Sequence, residues 1–271
     1  MVRAGPPVPR LAGAAGPMTA IEVSDLVKRY RGAAANAVDG VSFEVAEGRL
    51  FCLLGPNGAG KTTTVSILTT TLAHTSGRVR IAGLDVARQQ AQVRRQIGVV
   101  FQQQALDANL TAEENIRLHA VLYGMYPWRP WYRLMPPGYR RQVSDLSDVL
   151  GITGILSRPV RTLSGGTRRR LEIVRALLHQ PRVLFLDEPT AGLDPQSRRS
   201  LWAYLRQVRE TRGTTVLFCT HYLAEAEAAD QVCMLAGGKI IESGTPAAVK
   251  ARHSGPSLED VYLRLVAGPP Q

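Results

Sequence analysis

Residues 50–54, LFCLL, run without a break into Gly55-Pro56-Asn57-Gly58-Ala59-Gly60-Lys61-Thr62. Five apolar residues ending at a glycine-rich turn read as a buried strand meeting a loop. The loop fits the pattern G-x-x-x-x-G-K-[ST]. Its residue types follow from what it must do. Successive backbone N–H groups can curl around one anion only where side chains do not obstruct the approach. Gly60 lets the chain enter a helix, expected from Lys61 to about Leu72, whose N-terminus carries partial positive charge. Lys61 adds a mobile full charge for β- and γ-phosphates, and Thr62 offers an oxygen to Mg²⁺. A chain built around this loop is committed to a strand–loop–helix core that holds a nucleotide phosphate.

A second apolar run, Val183 to Leu186, ends in Asp187-Glu188. A buried parallel strand delivers its terminal side chains to the crevice at its C-terminal end. Asp187 is expected there as a Mg²⁺ ligand and Glu188 as the group that orients and polarises an attacking water. Taken alone, the pair also reads as a solvated acidic turn. A phosphate cradle in the same chain favours the chemical reading.

Strand and helix patterns interleave along the chain. Strands are expected at Ile21–Tyr30, Val41–Val45, Arg78–Ile81, Ile97–Phe101, Thr215–Thr220, Val232–Leu235 and Lys239–Glu242. Thr111 with Glu114 forms a capping box that opens a helix to about Tyr123. Further helices are expected at Tyr139–Leu150, Gly165–His179, Pro195–Thr211 and Leu223–Ala229, with short ones near Pro246–Ala251 and Leu258–Leu265. Four prolines between Gly124 and Gly138 forbid a continuous helix there, and the same segment holds Trp128 and Trp131. The pattern is α/β with a largely parallel sheet and an inserted helical subdomain from about 103 to 179. Residues 1–17, rich in Pro, Gly and Ala, are expected to be disordered; the patterned domain spans 18–265, and 266–271 form a flexible tail.

The formal net charge is +11, from 33 basic and 22 acidic residues, and all but four of the basic residues are arginine. The arginines are scattered, so the excess does not mark a nucleic-acid footprint. Cys52, Cys219 and Cys233 form no C-x-x-C pair and are read as buried small hydrophobes. No apolar stretch approaches the ~20 residues of a membrane-spanning helix.

Leu163-Ser164-Gly165-Gly166-Thr167, followed by Arg168-Arg169-Arg170-Leu171, resembles the signature motif of ABC ATPases. With the phosphate loop and the two acids, the motifs stand in that family's order across about residues 20–265. The resemblance implies a P-loop NTPase core with a mainly parallel sheet, an N-terminal antiparallel β subdomain and a helical subdomain carrying the signature. It implies ATP and Mg²⁺ as cofactors, with Gly55 to Thr62 and Thr63 around the phosphates. Tyr30 matches the aromatic that stacks on adenine, although a strand-end tyrosine can also be core. Gln102 matches the glutamine that senses Mg²⁺ and the membrane subunit; Gln103 and Gln104 follow it. Asp194, in Ala191-Gly192-Leu193-Asp194, matches the loop that crosses the dimer interface. His221 matches the histidine that contacts the γ-phosphate, and Ser164, Gly165 and Gly166 close on ATP held by a second copy. Thr167 departs from the commonest pattern, which has glutamine.

The expected assembly is a homodimer sandwiching two ATPs, peripheral to the cytoplasmic face of the membrane, with a separate integral-membrane permease. The stretch Ser257 to Leu263 and the run Leu163 to Leu178 resemble ATPases of the daunorubicin/doxorubicin-resistance type. That implies export of a drug, antibiotic or lipid-like substrate. The competing class is a soluble ABC ATPase acting on nucleic acid or ribosomes. Its usual second cassette, long coiled coil or zinc cysteines are not seen in this sequence, so no nucleic-acid partner is expected.

Overall fold

A computed structural model describes residues 19–103 and 105–267. The expectations for residues 1–17, for Gln104 and for the end of the tail lie outside the described residues.

The chain opens with β1 (Thr19–Lys28) and β2 (Val38–Ala46), an antiparallel pair. β3 (Leu50–Leu54) leads into the glycine loop and α1 (Lys61–Leu68). β4 (Ser76–Ile81), β5 (Leu84–Asp85), α2 (Gln90–Gln96) and β6 (Ile97–Val100) follow. Next come α3 (Ala112–Leu122), α4 (Pro137–Val149) and α5 (Gly165–Leu177). β7 (Val183–Asp187), α6 (Pro195–Arg212), β8 (Thr215–Thr220) and α7 (Leu223–Ala226) return the chain to the core. β9 (Gln231–Ala236), β10 (Lys239–Gly244), α8 (Pro246–Arg252) and α9 (Leu258–Ala267) complete it.

Two sheets result. A four-stranded antiparallel sheet has the order β2-β1-β4-β5, and a six-stranded sheet has the order β10-β9-β3-β8-β7-β6. In the second, β9, β3, β8, β7 and β6 are parallel and only β10 is antiparallel. The register sets Leu54 beside Thr220 and Asp187 beside Cys219. The C-terminal ends of β3, β7 and β8 are therefore level, and the loops that leave them share one edge.

Alternation along the strands feeds two cores. Leu50, Cys52, Leu54, Leu184, Leu186 and Phe218 belong to one, which continues into α3–α6. Phe51, Leu53, Val183, Phe185, Leu217 and Cys219 belong to the other, shared with α1 and the antiparallel sheet. The three cysteines are buried and free, and burial pushes their thiols up.

In the helical subdomain, Thr111 and Glu114 form the reciprocal capping box at the start of α3. Tyr139, fully buried, donates its hydroxyl to Glu113 Oε1 at 3.1 Å and so joins α4 to α3. The amide of Gln142 donates to the Leu178 carbonyl and joins α4 to the end of α5.

Several boundaries differ from the sequence expectation. α1 stops at Leu68 rather than about Leu72, because the Thr69 and Thr71 hydroxyls bond back to Val65 O and Ser66 O and Thr70 turns left-handed at φ +62°. α7 ends at Ala226, three residues short of the expected Ala229. α2 was not anticipated; among its residues only Val93 is buried, too little for a periodic signal. α9 runs to Ala267, two residues into the segment expected as a tail.

Candidate active site

The phosphate loop is held open from behind. A Cβ added at Gly55 would lie 2.4 Å from the Leu235 carbonyl oxygen, and one at Gly60 would lie 2.6 Å from that of Ala37. Gly60 also sits at φ +101°, a region side chains rarely adopt. Glycine is thus required twice, for space and for conformation. The Lys61 ammonium is buried and donates to the carbonyls of Gly55 at 2.7 Å and Pro56 at 3.0 Å. Those bonds bend the side chain back over the loop it serves.

Asp187 ends β7 inside the core, and its Oδ1 is buried with no hydrogen-bond partner among the described residues. Burial raises its carboxyl above the ordinary value, while the adjacent Thr62 hydroxyl pulls it down in part. An orphaned carboxylate oxygen beside a threonine hydroxyl is a hard-oxygen donor set, which suits Mg²⁺.

Glu188 is the point of convergence. Its backbone is left-handed at φ +47°, an uncommon conformation for a side-chain-bearing residue. The Gln102 amide donates to its Oε2 at 3.3 Å, and His221 Nδ1 donates to its Oε1 at 2.9 Å. Three residues singled out from separate stretches of the sequence, after β6, β7 and β8, thus meet at one carboxylate.

The other expected residues fall into two groups. Tyr30 lies beside α1, 45% exposed, with its hydroxyl 3.3 Å from Thr63 Oγ1 and the Lys28 ammonium over its ring. It is a presented ring rather than core. Ser164 caps α5, its Oγ accepting from Thr167 N at 3.3 Å and lying 2.9 Å from Thr167 Oγ1. Thr167 therefore turns its hydroxyl to the cap. Asp194 caps α6 by accepting from Gln196 N and Ser197 N, and the Ser197 side chain together with these amides holds its carboxyl below the ordinary range. Among the described residues no hydrogen bond joins Ser164–Gly166 to the phosphate loop.

Sequence reading missed two buried groups. Arg169 donates to Asp187 O and Phe101 O, each at 2.6 Å, to Pro189 O at 3.2 Å and to Glu172 Oε2 at 3.2 Å. It ties the signature helix to the end of β7 and to Phe101, the residue between β6 and Gln102. Its helical phase was the available signal, since Ile173 and Leu177 on the same face are buried. Glu225, also buried, accepts from the Thr190 hydroxyl and from Thr220 Oγ1 at 2.8 Å. It braces the turn that carries His221, and no sequence pattern marks it.

The family model described as ABC transporter matches residues 38–191. This chain belongs to the ABC transporter family. It is an ATPase of the cassette type, and its relatives agree over most of its length. The daunorubicin/doxorubicin resistance ATP-binding protein DrrA of Streptomyces peucetius is 41% identical over 250 residues, covering 92% of this chain and 71% of that one. The probable multidrug ABC transporter ATP-binding protein YbhF of Escherichia coli is 36% identical over 253 residues, covering 92% of this chain. The alignment spans only 42% of YbhF's own length. A solved dimeric structure of the ATP-binding cassette MJ0796, in a post-hydrolysis state bound to ADP and Pi, aligns with a TM-score of 0.74 at 25% identity. It covers 83% of this chain and 98% of that one. No helix among the described residues is long and apolar enough to cross a membrane.

Proposed function

We propose that this chain powers export of a drug, antibiotic or lipid-like substrate through a separate integral-membrane permease, working as a homodimer that closes around two ATPs at the cytoplasmic face of the membrane. The observation that carries the reading is the Glu188 carboxylate, held between Gln102 and His221 beside the phosphate loop. The relatives named for daunorubicin/doxorubicin resistance support the class of cargo, and the dimeric cassette bound to ADP and Pi supports the assembly.

The residues divide the work as follows. N–H groups of Gly58 to Thr62 and the Lys61 ammonium hold the β- and γ-phosphates. Thr62 and Asp187, with Gln102, would hold Mg²⁺, which when bound neutralises charge on the phosphate oxygens. Glu188 accepts a hydrogen bond from the attacking water and directs it at the γ-phosphate. His221 and Gln102 fix the carboxylate so that it need not reorganise during the reaction. Ser164 and the N–H groups of Gly165 and Gly166 present a second helix N-terminus to the ATP of the facing copy. Tyr30 stacks on the adenine and Asp194 crosses the interface.

Glu188→Gln keeps the shape and removes the charge. Turnover should fall by at least ~10²-fold while ATP binding persists, and the variant should accumulate as an ATP-bound dimer on gel filtration. A Glu188→Gln protein that turns over like wild type would sink the assignment.

A further inference from the structure

Between α3 and α4 the chain makes a loop with two unlike faces. Inward, Tyr126 and Tyr132 pack edge-on against the buried ring of Tyr139, and Met135 is buried with them. The Tyr132 hydroxyl donates to Arg140 O at 3.4 Å, and Arg117 Nη1 donates to Arg129 O at 2.9 Å. A short 3₁₀ turn at Tyr132–Leu134 finishes the segment. Outward, Trp128 is 62% exposed, Trp131 70% and Leu134 56%. The apolar side chains that face solvent are therefore mounted on an anchored scaffold.

Charge along this stretch of chain has one sign. No acid occurs between Glu114 and Asp145. Arg129, Arg133, Arg140 and Arg141 are all exposed, and none forms an ion pair among the described residues. Tryptophan combines a large apolar body with one polar N–H, the combination that settles at the headgroup level of a bilayer. Unpaired arginines beside it complement anionic headgroups. An apolar protein groove would use the tryptophans but leave the arginines without partners. Nucleic acid would use both but gains nothing from an exposed leucine.

We infer that the Trp128–Leu134 loop is a membrane-surface contact that inserts Trp128 and Trp131 among anionic lipid headgroups. This deepens the membrane association proposed above but is tested apart from it, with vesicles alone and neither permease nor nucleotide. The full chain should co-sediment with phosphatidylcholine vesicles containing about one-third phosphatidylglycerol and should bind at least about tenfold more weakly to pure phosphatidylcholine. Tryptophan emission should shift to the blue on binding, since two of the three tryptophans lie in the loop and Trp202 is already buried. Trp128→Ala with Trp131→Ala, and separately Arg129→Glu with Arg133→Glu, should each weaken binding by about tenfold or more. Both pairs should melt like wild type, because they remove exposed side chains. Arg78→Glu with Arg88→Glu, equal in charge and distant in sequence, should change binding by less than about twofold.

Absence of binding to the anionic vesicles would overturn the inference. So would binding that survives loss of both tryptophans, or that falls equally in the Arg78/Arg88 control, since general positive charge would then suffice. Trp-dependent binding of a single-stranded oligonucleotide in place of vesicles would reassign the face to nucleic acid. Trp-dependent binding of detergent-solubilised permease without vesicle binding would reassign it to the protein partner.

Discussion

The two glycine-led helix starts, at Gly60 and at Gly165, are built to different degrees of completion. At Gly60 the chain has closed on itself: there is no room for a Cβ, the backbone is left-handed, and Lys61 is folded back onto the loop. At Gly165 a Cβ would meet nothing within 4 Å, and Ser164 is exposed. The first is a finished cradle, the second a surface with its own cap and an open front. A site whose geometry is complete binds alone. One that leaves its N–H groups facing outward needs another molecule to face them. The contrast is what the proposed dimer exploits, because each chain brings one finished site and one half-site.

Cutting the strut between the two should have the largest effect on the fold. Arg169→Leu leaves Glu172 as a buried carboxylate without its ion-pair partner and strips donors from three carbonyls. Breaking a buried pair from one side costs roughly 3–5 kcal/mol, readable as a shift of the urea midpoint. Arg169→Leu with wild-type stability would show that the half-site and the cradle are held by packing alone.

Substituting the glycines tests the contrast directly. Gly60→Ala meets a backbone oxygen at a left-handed position and should cost about 1–3 kcal/mol and abolish nucleotide binding. Gly165→Ala, at the first turn of a helix with open space around it, should leave melting within about 0.5 kcal/mol of wild type and leave nucleotide binding by the single chain intact. Its defect should appear only when ATP-driven dimerisation is measured. Equal loss of monomer binding in both variants would erase the distinction.

The smallest effect is expected away from both sites. The His119 ring packs at a tilt against Tyr123 and His179, and burial lowers its pKa to about 3, with help from Arg175 and His179. Arg94 also lines the cavity of these rings, and His179 is itself lowered by burial. A histidine held neutral in the fold binds fewer protons than in the unfolded chain. Its contribution is therefore fully present above about pH 6.5 and is lost as pH falls from there toward 3. His119→Phe should flatten the decline of melting temperature between about pH 6.5 and 4.5 without changing nucleotide affinity at neutral pH. An unchanged slope would place the acid sensitivity elsewhere.

The sequence by itself carried the motifs whose chemistry is local. A glycine loop between an apolar run and a helix, two acids after four apolar residues, and Thr111 with Glu114 each specify their own geometry within a few residues. Such signals survive because the physics they encode, φ angles and caps, acts along the chain. What only the tertiary structure decided is everything that acts across it. Gln102, Glu188 and His221 are separated by tens of residues, and the parallel register that levels β3, β7 and β8 is what makes them neighbours. Arg169 shares a helix face with Ile173 and Leu177, but that this face meets Asp187 and Phe101 is set by how α5 packs. The tryptophans at 128 and 131 were equally compatible with core and surface until the tyrosines beside them had filled the space around Tyr139. Burial depends on which neighbours arrive first in space, and a one-dimensional pattern does not contain that competition.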